Sequence, residues 1–85
     1  MTHYFKTEKY NGLICLEKVE PFSITNTAVA RYYEIENSHT IQVSKEFYHD
    51  RLERLKNHQD FVEINEEQYN NILNFKTRIP CQTSF

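Results

Sequence analysis

The chain has 85 residues, a net charge of −2 at pH 7, one glycine, two cysteines and twelve aromatic residues, six of them Tyr and six Phe. A chain of this length forms one domain with a small core, so we expect a single domain over 1–85 that ends in a short tail at 80–85. The ten Lys and Arg are balanced by twelve Asp and Glu, which argues against the basic surface of a nucleic-acid-binding protein. A single glycine also excludes glycine-rich phosphate loops.

The small number of cysteines and the lack of long apolar segments indicate in which cellular compartment the protein is found. Cys15 and Cys81 are too few for the disulfide framework of a small secreted domain. The first residues lack the apolar segment of a secretory signal, and no stretch is apolar enough to span a membrane. We therefore expect a cytoplasmic protein with reduced thiols and no membrane association. Its short length and its bias towards Asn, Ile, Lys and Tyr, which an AT-rich genome produces, are typical of accessory proteins of phages and mobile elements.

The first half of the chain is predicted to form four strands. Asn11-Gly12 is a strong hairpin signal, because both residues accept positive φ. Glu20-Pro21 ends the second strand, since proline cannot donate a hydrogen bond to a sheet. The predicted strands are 3–8, 13–19, 29–36 and 39–43, with a loop at 22–27 and a turn at Asn37-Ser38.

A strand–cap–helix pattern occurs twice in the second half, with Ser44 and Asn65 at equivalent positions. In each copy an apolar–polar–apolar triplet precedes a residue that can cap a helix, and a tyrosine, Tyr48 or Tyr69, occupies the fourth helical position. An apolar residue before the cap can pack on this tyrosine as a hydrophobic staple. The pattern predicts one helix from Ser44 to 57–58 and another from Asn65 to Pro80, with a short strand, 61–64, between them.

The order ββββαβα indicates an α+β fold: a small antiparallel sheet of four to five strands with two helices packed on one face. This arrangement leaves the other face of the sheet uncovered. Tyr4 and Phe5 point to opposite sides of their strand, and the segment 13–16 is apolar in both of its alternating sets. We therefore expect an exposed apolar outer face, a feature that usually marks an interface.

The sequence contains no recognisable catalytic or metal-binding motif. The four histidines and two cysteines have none of the spacings of zinc or metalloprotease sites. The carboxylate pair Glu66-Glu67 is explained by the helix dipole, which favours acidic residues in a first turn. Arg51 interrupts the apolar side of the first helix. Its stem can pack while the guanidinium reaches water or a carboxylate, or the guanidinium can contact an anion or a partner.

These observations favour a small non-enzymatic protein-binding module without a cofactor, acting as an inhibitor, accessory subunit or regulator of a larger protein, or forming a homodimer. The expected interface residues are Tyr4, Ile14, Leu16, Tyr32, Glu34, Arg51, Asn70 and Asn74. One alternative is a binder of a nucleotide-like ligand or of single-stranded nucleic acid, in which the open sheet stacks bases and Arg31, Arg51 or Lys45 meets phosphate. Another is an enzyme with a site at a homodimer interface, built around His39 or His49.

Overall fold

The computed structural model describes residues 1–8, 12–30 and 35–75. Five strands form one antiparallel sheet in the spatial order β4-β3-β2-β1-β5. The elements are β1 (His3–Glu8), β2 (Leu13–Glu20), β3 (Ser23–Ala30), β4 (Glu36–Gln42), α1 (Lys45–Asn57), β5 (Val62–Ile64) and α2 (Glu66–Phe75). The predicted α+β class, the antiparallel sheet and the element order ββββαβα are confirmed.

Strand β3 begins earlier than predicted. Glu20 pairs directly with Ser23, so only Pro21-Phe22 connect β2 to β3, and the predicted loop at 22–27 is wrong. Proline followed by a residue with positive φ is the pattern of a type II turn, and Phe22 has a φ of 74°. The segment 23–27 alternates Ser and Thr with Ile and Asn. Its pairing with two neighbouring strands outweighs the weak strand propensity of Asn.

Strand β4 also differs from the prediction. Asn37-Ser38 was expected to form a turn, but both residues lie within β4, opposite Ala28 and Thr27 of β3. The prediction of one strand over 29–36 is therefore wrong. Val29 belongs to β3, whereas Glu36 is the first residue of β4 and pairs with Val29. Local turn propensity at Asn-Ser was misleading, because the register of β4 is fixed by its pairing with β3.

The two helices pack on opposite faces of the sheet, so the prediction that they share one face is wrong. Paired residues of neighbouring strands point to the same side of a sheet, and successive residues along a strand alternate. The strand register therefore assigns every side chain to a face. Phe5, Val19 and Ile24 point to one side, here called face A, and pack with Tyr48 and Leu55 of α1.

The opposite side, face B, is covered by α2. Leu16 and Val29 point to this side and pack in one cluster with Ile64 of β5 and Tyr69 of α2. The two helices lie on opposite faces because β5, which separates them in the chain, pairs with β1 at the edge of the sheet. The chain enters β5 from α1 on face A and leaves it towards face B. The apolar residues in both alternating sets of β2 thus reflect a central strand that is covered on both sides.

Both predicted helix starts are confirmed. The Ser44 hydroxyl accepts a hydrogen bond from the Phe47 N–H at 3.1 Å. Asn65 Oδ1 accepts from the Gln68 N–H at 2.7 Å, and Gln68 Oε1 accepts from the Asn65 N–H at 3.0 Å, which is a complete capping box. The predicted end of the second helix at Pro80 and the tail at 80–85 lie outside the described residues.

An ion pair joins α1 to the middle of the sheet. Arg51 Nε lies 2.6 Å from Glu17 Oε2, and its Nη2 lies 2.7 Å from Glu17 Oε1. Glu17 points to face A and is only 3 % exposed. Its hydrogen bonds raise the pKa of the Arg51 guanidinium above the usual value. The interpretation that the Arg51 stem packs while its head reaches a carboxylate is confirmed, and the guanidinium is engaged inside the chain.

Replacing Arg51 by Met should lower the free energy of unfolding by about 3 kcal/mol, because the buried Glu17 carboxylate then lacks its partner. Urea unfolding followed by circular dichroism measures this loss. The matched control is Arg54→Met on the same helix, since Arg54 pairs with Asp50 at 2.9 Å but both side chains are mostly exposed. The control should lose at most about 0.5 kcal/mol. Equal losses in the two variants would show that the Arg51 pair does not hold α1.

Alkaline pH should loosen the packing of α2. Burial raises the pKa of the Tyr69 hydroxyl, against the opposing effect of its hydrogen bond with Thr27. The folded state therefore favours neutral Tyr69, and this stabilisation is complete below the unfolded pKa of 10.0 and is lost as pH rises through the folded pKa. Unfolding measured at rising pH should show a smaller decline in the Tyr69→Phe variant than in the parent. Parallel declines would contradict the packing described for Tyr69.

Candidate functional site

Among the described residues the sheet has no exposed apolar outer face of the kind predicted, because α2 packs on face B. Ile14 and Leu16 are only 6 % and 1 % exposed. Tyr4 is half-buried, and its ring centroid lies 4.9 Å from that of Tyr69 in α2. These three residues were predicted to form an interface, and they belong instead to the packing between α2 and face B.

Three of the remaining predicted interface residues are described by the structure, and they lie on different helices. Arg51 is bound to Glu17. Asn70 and Asn74 are exposed on α2, and their contact with a partner stays a prediction. Tyr32 and Glu34 lie outside the described residues. The described members of the predicted set therefore do not lie together at one place.

The most exposed element of the sheet is β4. It lies at one edge of the strand order, and all seven of its residues are exposed. Its register with β3 runs without a bulge from Glu36 to Gln42. Edge strands are usually protected by Lys, Pro, a bulge or short length, and β4, which is described along its whole length, has none of these protections. Glu36 is its one charged residue.

Neither hydrophobic cluster of the described residues includes a side chain of β4. The clusters draw on β1, β2, β3, β5 and the two helices. What holds β4 is its pairing with β3, reinforced on face B by two contacts between hydroxyl groups. Thr25 Oγ1 lies 2.9 Å from Thr40 Oγ1, and Thr27 Oγ1 lies 3.3 Å from Ser38 Oγ. The strand is thus regularly paired with β3 but gains little burial within the chain.

The direction of the backbone groups in β4 follows from one hydrogen bond. The Val43 N–H donates to the Phe22 carbonyl at 2.8 Å, just beyond the end of the paired strands. In an antiparallel pair, residues whose backbone groups point at the neighbour alternate with residues whose groups point away. The backbone N–H and C=O of Ser38, Thr40 and Gln42 therefore point outward from the sheet. The structure thereby offers a row of backbone donors and acceptors at the open edge.

Apolar side chains lie at one end of this edge. Phe22, in the turn between β2 and β3, is 55 % exposed, and its carbonyl is bound to the residue that follows β4. Ile41 near the end of β4 is 41 % exposed, and Phe47 in the first turn of α1 is 48 % exposed. Exposed aromatic side chains next to an open edge are typical anchors of protein interfaces.

A depression of about 300 Å³ lies on face A next to β4. Cys15 and Ala28 contribute small side chains to its lining, and Asn26, Asn37 and His39 contribute polar groups. The small side chains explain why the sheet surface is open here. The depression resembles a site for a compact ligand in size.

The charge of this depression limits what it could bind. Its charged lining residue is Glu17, whose carboxylate is held by Arg51. No Lys or Arg is among the described residues that line it. The depression therefore lacks the cations that would meet a phosphate. His49 lies elsewhere, on the exposed side of α1 with its ring 5.0 Å from that of Tyr48.

The described residues contain neither a metal-binding cluster nor a helix that could span a membrane. In this part of the chain no group of three or more His, Cys, Asp or Glu is arranged to hold a metal ion. Neither helix, over its described length, is both long and apolar enough to cross a membrane. The absence of a cofactor and the cytoplasmic location stay predictions.

Comparison with known proteins gives no functional information. No protein-family model matches the chain, and no curated protein and no solved structure shows significant similarity to it. Function must therefore be argued from the exposed edge and the surfaces beside it.

Hydrogen exchange of single amides should confirm the geometry of the edge. In dilute protein we expect fast exchange for the amides of Ser38, Thr40 and Gln42, which point outward, and slower exchange for those of His39 and Ile41, which point at β3. NMR-detected exchange measures each amide, and neighbouring residues of one strand serve as mutual controls. The reverse pattern would mean that the outward row is assigned to the wrong residues.

Proposed function

We propose that this chain is a non-enzymatic protein-binding module that binds by adding a partner's strand to the open edge of β4. The observation that carries the proposal is a seven-residue edge strand that is exposed at every position. It has no lysine, proline or bulge of the kind that edges usually carry, and Glu36 at one end is its one charged residue. Strand addition is a common mode of protein recognition, in which backbone hydrogen bonds supply affinity and alternating side chains supply specificity.

The contrast between the two edges of the sheet supports the proposal. The other edge, β5, has only three residues, and short length is one way to blunt an edge. Its Glu63 also accepts a hydrogen bond from His3 Nδ1 at 2.8 Å, which fixes β5 to β1. As far as the described residues go, the sheet is thus protected at one edge and open along the whole of the other.

The surroundings of β4 supply the means of specificity. A strand added to this edge would pair with the outward backbone groups of Ser38, Thr40 and Gln42. Its side chains on face A would lie beside those of His39 and Ile41, and the exposed Phe22 would extend the contact at one end. An apolar anchor beside a polar strand pair is the composition expected of an interface with a small hydrophobic centre and a polar rim.

A second candidate function is binding of a small uncharged ligand in the depression on face A. The observation in its favour is the opening of about 300 Å³ lined by Asn26, Asn37 and His39. A phosphate-bearing ligand or nucleic acid has less support, since Arg51 is occupied by Glu17. The alternative of an enzyme built around His39 has less support for a similar reason: the carboxylate in the same depression, Glu17, is already neutralised by Arg51.

The variant Thr40→Pro should abolish strand addition while the fold is retained. Proline removes an outward N–H and places its ring at the open edge, where proline is compatible with a sheet. The matched control is Thr40→Ala, which loses the same hydroxyl contact with Thr25 but keeps the N–H. Each form is tagged and used to capture proteins, including untagged copies of itself, from a lysate of the cells in which the protein occurs. We expect binding at least about tenfold weaker for Thr40→Pro than for Thr40→Ala.

The outcomes separate the candidate functions. A stoichiometric protein that the parent and Thr40→Ala retain, and that Thr40→Pro loses, supports strand addition at β4. Equal capture by all three forms would contradict it, as would the absence of any bound protein together with a monomeric parent at high concentration. If no protein binds, and a small molecule stays with the parent but is lost in His39→Ala, ligand binding in the depression would replace the proposal.

A further inference from the structure

We infer that the strand added to β4 is β4 of a second copy of this chain, paired antiparallel about a two-fold axis that passes through His39. This inference rests on the proposed function and names the partner of the same edge. The two five-stranded sheets would then form one continuous sheet across the axis. Closed two-fold dimers are the commonest form of self-association.

The register of this pairing follows from the outward backbone groups. Outward residues must face outward residues across the seam, because only they can exchange hydrogen bonds. The axis must therefore pass through a residue, such as Ser38, His39 or Thr40, and not between two residues. Only the axis at His39 pairs β4 over its whole length, with Glu36 opposite Gln42 of the second copy. Either other choice leaves the last two residues at one end of the strand without a partner.

The side chains on face B are compatible with this register. Ser38 lies opposite Thr40 of the second copy, so the hydroxyl contacts between β3 and β4 would continue across the seam. Hydroxyl pairs of this kind stabilise neighbouring strands. Glu36, the one charged residue of β4, lies opposite Gln42 of the second copy, so no like charges of the two strands directly oppose each other. The strand is therefore complementary to itself in hydrogen bonding and in charge.

On face A the register places the two His39 side chains opposite each other. They occupy a pair that does not exchange backbone hydrogen bonds, where the Cα atoms of antiparallel strands are about 4.5 Å apart. His39 and Asn37 also line the depression of each copy. The pairing therefore brings the two depressions side by side across the axis.

Cysteine cross-linking tests both the partner and the register. Single cysteines are introduced as Ser38→Cys, His39→Cys and Thr40→Cys in a background that carries Cys15→Ala and Cys81→Ser. All three positions are exposed, so the substitutions should leave the fold unchanged, which circular dichroism checks. Each purified variant is oxidised mildly at high concentration and separated on a non-reducing gel. A cross-linked pair runs at twice the 10.3 kDa of the chain.

We expect His39→Cys to convert most chains to the cross-linked dimer, because the paired Cα atoms lie within the range of about 4.4–6.8 Å that a disulfide requires. Ser38→Cys and Thr40→Cys should form little cross-linked dimer and run as single chains on the gel, since each faces its own copy only along the diagonal, about 7–8 Å away. Adding Thr40→Pro to His39→Cys should abolish the cross-link. This loss would show that the bond depends on strand pairing and not on random collision.

Three results would overturn the inference. Cross-linking strongest through Ser38→Cys or Thr40→Cys would place the axis at another residue. Equal cross-linking of the three variants, or cross-linking that survives Thr40→Pro, would indicate collision. No cross-link with His39→Cys, while another captured protein is still lost in Thr40→Pro, would remove the second copy as partner and leave strand addition at β4 intact.

Discussion

The structure depends on how two short helices shield the apolar side chains of a five-stranded sheet from water. One helix packs on each face, over strands β1 to β3 and β5. The central strands are therefore buried on both sides. This arrangement concentrates apolar burial, which is the main source of stability in so small a domain. As a consequence β4 is left uncovered, and it contributes no side chain to either cluster among the described residues. The helix positions that bury the central strands thus also leave the edge strand β4 exposed.

The Arg51–Glu17 pair fixes one half of this arrangement. A carboxylate in the middle of β2 would be unfavourable in a buried position without a partner. The guanidinium supplies two hydrogen bonds to it from α1. The pair therefore specifies how the helix lies on face A more than it adds net stability. It also occupies one of the cations that could meet a phosphate, and so weakens the case for a phosphate ligand.

Sequence analysis succeeded where the signal is local. The caps at Ser44 and Asn65 use side chains that bond to amides three residues away, so their patterns predict helix starts without knowledge of the fold. It failed where the answer depends on distant pairing. The face on which α2 packs is set by the pairing of β5 with β1, and the strand state of Asn37-Ser38 is set by β3. The open edge was missed for the same reason, since a polar strand such as β4 is recognised as exposed only when the strand order is known.

The most direct test of the account is an NMR measurement of contacts between copies, on an equimolar mixture of isotope-labelled and unlabelled protein at high concentration. The account predicts intermolecular contacts confined to β4 and to Phe22 beside its end, the strongest between the two His39 residues. Resonances of Ser38 to Gln42 should return to their monomer positions on dilution. Intermolecular contacts that arise from α2 or from the part of face B that α2 covers, with the resonances of β4 unchanged at every concentration, would contradict the claim that β4 is the binding edge of this protein.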